Sequence, residues 1–65
     1  MPRIAGIDIP DRKKIYYALQ YVHGIGPKYA ADILTEAQFD PNRRANDLTE
    51  QEVAQIGSII DNSYL

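Results

Sequence analysis

One stretch of the 65 residues has the residue types and spacing to hold a phosphate: Gly24-Ile25-Gly26-Pro27-Lys28. Glycines let a backbone come close to a charged oxygen. Proline suits the first turn of a helix, where no backbone donor is needed. A helix starting at Pro27 would aim its unbonded N–H groups and the positive end of its dipole at that same spot, and Lys28 would add a full charge. Contacts of this kind grip a nucleic-acid backbone without reading its bases. The same glycines also suit a tight turn between helices that needs them for steric reasons alone.

Catalytic chemistry has little to work with. There is no cysteine, and the one histidine, His23, sits where a first helix should end, as a partner for its negative pole. No histidine spacing suits zinc, so neither a metal nor another cofactor is expected. Asp32, Glu36 and Asp40 recur at four-residue steps, which reads as a solvated face rather than an acid–base pair. The expectation is a protein that is not an enzyme.

Charge is divided along the chain. The net charge is −2, but residues 1–30 carry Arg3, Arg12, Lys13, Lys14 and Lys28 against only Asp8 and Asp11. The remainder carries Arg43 and Arg44 against Asp32, Glu36, Asp40, Asp47, Glu50, Glu52 and Asp61. Any polyanion should therefore meet the front half, with Arg3, Arg12, Lys13 and Lys14 joining the Gly24–Lys28 stretch. Apolar residues at 45% and charged residues at 25% are ordinary for a folded domain. No run approaches the ~18 apolar residues of a membrane span, and the N-terminus lacks the apolar core of a signal peptide. A cytoplasmic protein with no membrane partner is the reading.

The elements that must position the glycine stretch follow from periodicity. Residues 1–10 read as an extended lead-in, too isolated to make a stable sheet. Asp11 is placed to cap a first helix running to about His23, with Ile15, Ala18, Leu19 and Val22 on its buried face. Gly24 ends it. A second helix from Pro27 buries Ala30, Ile33, Leu34 and Ala37, with Ile25 plugging the gap at the crossing. Residues 39–44 read as a connection with one helical turn after Asp40. Thr49 and Glu52 form a T-x-x-E capping box for a third helix over 49–62, with Leu48 and Val53 as a staple. That helix should bury Val53, Ile56, Gly57 and Ile60, with Gly57 either admitting a close neighbour or simply tolerated. The fold expected is all-α: a small three-helix domain over 1–65, with its two-helix hairpin at 11–38 behind the extended lead-in.

Val22-His23-Gly24-Ile25-Gly26-Pro27-Lys28-Tyr29-Ala30-Ala31-Asp32-Ile33-Leu34 resembles the helix–hairpin–helix motif of nucleic-acid-binding proteins. The likeness widens with Pro2-Arg3-Ile4-Ala5-Gly6-Ile7-Asp8-Ile9-Pro10, Tyr21-Val22-His23-Gly24-Ile25-Gly26 and Asp47-Leu48-Thr49-Glu50-Gln51-Glu52-Val53. In order and spacing these resemble the N-terminal helix–two-turns–helix domain of the bacterial small-subunit ribosomal protein S-thirteen family. The resemblance implies a structural, rRNA-binding role in the head of the small ribosomal subunit. It implies neighbours S-nineteen of the small subunit and L-five of the large subunit, and a place on cytoplasmic ribosomes. Family members continue into a further helix and a basic tail that reaches the tRNA sites. The 65 residues thus read as a truncated domain, for which tRNA contact is not expected.

Two other functions fit the residues. One is a free-standing or engineered helix–hairpin–helix module that binds nucleic-acid backbone without sequence preference. The other is a self-associating interaction domain. Lys14, Tyr17 and Tyr21 share a side of the first helix away from its apolar stripe, and tyrosine is enriched at interfaces. Tyr17, Tyr21 and the Gly57 side of the third helix are the candidate protein interface, for another protein or for a weak homodimer.

Overall fold

The computed structural model describes residues 3–4 and 6–63. Met1, Pro2 and Ala5 of the expected lead-in lie outside the described residues, as do Tyr64 and Leu65.

The lead-in is not merely extended. β1 (Arg3–Ile4) pairs antiparallel with β2 (Ile7–Asp8), Arg3 opposite Asp8 and Ile4 opposite Ile7. Gly6 turns the chain between them at a φ of 78°, a value few other residues adopt. Arg3 Nη2 donates to the Gly6 carbonyl at 2.8 Å, and Arg3 Nε lies 3.4 Å from Asp8. Such a small ribbon would be marginal alone. It survives because Ile4 and Ile9 are buried in the core and β1 packs on the third helix.

The first helix is shorter than its periodicity suggests. α1 spans Ile15–Ala18 and continues as a 3-10 turn, Leu19–Tyr21. Lys14, not Asp11, stands at its N-cap. The segment before it lies alongside the later connection. Asn46 N–H donates to Asp11 O at 3.0 Å, Ala45 N–H to Lys13 O at 3.0 Å, and Ile15 N–H to Arg43 O at 2.6 Å. Arg44 Nη1 donates to Arg12 O at 2.8 Å. The carbonyls of residues 11–13 that a longer helix would need are thus taken by residues far along the chain. At the other end Val22 is extended, and exposed His23 lies past the helix rather than in its last turn. The buried face holds as expected: Ile15, Ala18, Leu19 and Val22.

α2 spans Pro27–Ala37 and buries Ala30, Ile33, Leu34 and Ala37. Gln38, left-handed at φ 62°, ends it, with Phe39 N–H returning to Leu34 O at 2.9 Å. Asp40 then closes a turn by accepting from Asn42 N–H at 2.9 Å. The helical turn expected after Asp40 falls later, as a 3-10 turn over Ala45–Asp47 with Ala45 fully buried.

α3 spans Glu50–Ser63. The capping box is present: Thr49 N–H donates to Glu52 Oε1 at 2.9 Å, and Thr49 Oγ1 accepts from Glu52 N–H at 3.1 Å. Ile56 and Ile60 are fully buried, while Leu48, Val53 and Ile59 are half-buried against the core. A Cβ at Gly57 would meet nothing within 4 Å, so this glycine is tolerated and admits no close neighbour. The core joins all the elements, from Ile4 and Ile9 through Leu19 and Ile33 to Ile60. The fold is all-α, with a small β-ribbon braced against it. Among the described residues no helix is long and apolar enough to cross a membrane.

Candidate nucleic-acid interface

Gly24, Ile25, Gly26 and Lys28 come together in one turn. Gly24 takes φ 87°, where a side chain is strained, so the chain reversal itself requires glycine. Ile25 points inward and is buried, and its N–H donates to Val22 O at 3.0 Å. Gly26 differs. Its backbone is extended, at φ −92° and ψ −172°, and a Cβ there would meet nothing within 4 Å. The turn does not require glycine at 26, which corrects the steric reading for that position. What its missing side chain leaves is an open surface at the start of α2.

A shallow hollow of about 320 Å³ opens there, lined by Gly24, Gly26, Pro27, Lys28 and Tyr29. No acidic residue occupies the first turn of α2, so the positive helix pole is not countered there. Lys28 Nζ lies 3.1 Å from Asp32 on the same exposed face. Exposed pairs of this spacing are worth only about 0.3–0.5 kcal/mol, so a phosphate can displace the carboxylate. Tyr29, half-exposed at 45%, lines the hollow and was not among the residues expected there. Its signal was its place off the Ala30/Ile33/Leu34/Ala37 stripe.

The other basic residues do not converge on this hollow. Arg3 braces the β-ribbon and lines a separate depression with Asp11, Leu48 and Val53. Arg12 and Lys13 are exposed and Lys14 half-buried on the segment leading into α1. Tyr17 and Tyr21 are each 56% exposed on α1 and its extension, and Gly57 lines neither of the two hollows that these tyrosines border.

The strongest polar cluster lies elsewhere and was not anticipated. Arg43 grips Glu52 with both ends of its guanidinium, at 2.6 and 3.0 Å, and donates to Asp47 O at 2.8 Å. Its charge also sits 5.7 Å from the centre of the Phe39 ring. The hydrogen bond from Arg43, with one from the Thr49 backbone, lowers the Glu52 carboxyl to about 2. The same pairing raises Arg43. Only the capping box hinted at this cluster, because Arg43 approaches Glu52 from outside the helix.

A glycine turn ahead of an uncountered helix pole, joined to a small all-α core, defines a protein of the helix–hairpin–helix kind. The family model described as ribosomal protein S13/S18 matches residues 3–65, and the chain belongs to that family. It is a ribosomal protein, an RNA-binding part of a ribonucleoprotein that works in translation. Its partners are rRNA and other ribosomal proteins, and the family is generally non-enzymatic. A match of this extent does not favour a free-standing or engineered module.

Proposed function

We propose that this chain is a structural constituent of the small-subunit head on cytoplasmic ribosomes, and that it holds rRNA backbone at the Gly24–Lys28 turn. The observation that carries the reading is Gly26. The fold accommodates a side chain there, yet the position is bare and opens onto the positive end of α2. Backbone N–H groups at a helix start, a lysine beside them and no carboxylate in the first turn suit a phosphate. Arg12, Lys13 and Lys14 offer a second basic surface, apart from the turn, on the segment leading into α1. S-nineteen and L-five are the proposed protein neighbours.

The test is the salt dependence of binding to a structured rRNA fragment. Lys28→Ala should weaken binding and make the salt slope less steep by roughly one contact. Gly26→Ala should weaken it as well while the chain stays folded. Identical affinities and slopes for wild type and both variants would remove the turn from the interface.

A further inference from the structure

Away from the turn, α1 and its 3-10 extension carry an arrangement that backbone binding at Gly24–Lys28 does not use. Tyr17 and Tyr21 stand 56% exposed and, with Lys13 and Gln20, line a hollow of about 320 Å³. Tyr17 also borders a second hollow of about 430 Å³, together with Lys14, Tyr16, Phe39 and Pro41. Each hollow has one lysine on its rim, and no carboxylate lines either. Among the described residues, neither Lys13 nor Lys14 has a side-chain ion pair or hydrogen bond. Tyr16 is half-buried against the core and meets the Tyr17 ring edge-on, at 5.0 Å between centres and 73° between planes. The Tyr17 ring is therefore held in place while part of it faces solvent.

Open aromatic rings flanked by unpaired cations suit a ligand that has both flat faces and negative charge. A second copy of this chain suits the surface poorly, because a twofold contact here would bring the lysines of both copies together. We propose that Tyr17 and Tyr21 form a stacking platform for unpaired RNA bases, with Lys13 and Lys14 meeting the phosphates between them. The platform rests on the chain's role as an RNA binder and is separate from the proposed backbone seat at Gly24–Lys28.

The experiment measures fluorescence anisotropy of a short labelled oligoadenylate and of a short labelled RNA duplex with the 65-residue chain. Tyr17→Ala with Tyr21→Ala should weaken oligoadenylate binding by about tenfold or more and change duplex binding by less than about twofold. The paired phenylalanine variant should bind like wild type, since stacking needs the ring and not the hydroxyl. Lys13→Ala, at an exposed side chain, should weaken oligoadenylate binding as well. Both tyrosines are exposed, so the thermal midpoints of these variants should stay near wild type. Oligoadenylate binding unchanged in the alanine pair would overturn the platform. Loss in the phenylalanine pair equal to that in the alanine pair would do the same, as would a wild-type dimer that the alanine pair makes monomeric without affecting RNA. Lys28→Ala keeps the two sites distinguishable: duplex binding that survives it, beside oligoadenylate binding lost in the alanine pair, supports the platform and removes the backbone seat.

Discussion

The two connections between helices handle polar groups in opposite ways. From Asp40 to Glu52 the chain is stitched to itself: Asp40 holds Asn42, Arg43 clasps Glu52 and the Asp47 carbonyl, and Thr49 and Glu52 cap each other. Arg44 reaches across to Arg12. From Gly24 to Lys28 the turn is held by its backbone and by buried Ile25, and Lys28 pairs with Asp32 at an exposed site. The first connection uses its polar chemistry to fix the shape of the domain. The second fixes its shape with a left-handed glycine and an apolar plug, the arrangement on which the proposed RNA contact rests.

The difference can be broken from either side. The largest effect should come from Arg43→Ala, which removes three hydrogen bonds at once. It should lower the thermal midpoint more than any other surface substitution, while the folded variant keeps its salt slope for RNA. The Glu52 carboxyl is lowered from 4.5 to about 2, so its contribution is fully present above pH 4.5 and is lost as pH falls through about 2. Acid titration of the midpoint should show that loss in wild type and a flatter limb in Glu52→Gln. Equal limbs would mean the clasp does not stabilise the fold. Gly24→Ala comes next. It forces a side chain into the left-handed region at a cost of about 1–2 kcal/mol. Thr49→Ala should cost about 1 kcal/mol, or several degrees of midpoint, because only one half of the capping box is lost. Lys28→Ala should move the midpoint less than these, since the Lys28 side chain is exposed and its helical pair with Asp32 is worth about 0.3–0.5 kcal/mol. A large fall there would show that the turn, too, depends on its polar side chains.

Local signals carried much of this fold. Pro27 started α2 where expected, the Ala30/Ile33/Leu34/Ala37 stripe was buried, and the Thr49–Glu52 box held the start of α3. These features depend on neighbours within a turn of one another. What escaped depends on partners far along the chain. Asp11 looked like a cap, but its carbonyl is claimed by Asn46 and helix formation is put off to Ile15. The β-ribbon looked too small because nothing local reveals that Ile4 and Ile9 enter the core. Arg43 carried no signal as the main clasp. At the candidate interface the turn was legible from its glycines, yet the unequal demands at Gly24 and Gly26 appear only in backbone geometry. The basic residues at 3 and 12–14 shared a sign with Lys28 but not a place.

The most direct test of the turn as the RNA contact is an amide NMR titration of the 65-residue chain with a structured rRNA fragment. Contact at the turn should shift the signals of Gly24, Ile25, Gly26, Lys28 and Tyr29 on binding while those of residues 40–52 stay in place. Shifts concentrated at 40–52, with the Gly24–Tyr29 signals unmoved, would contradict it.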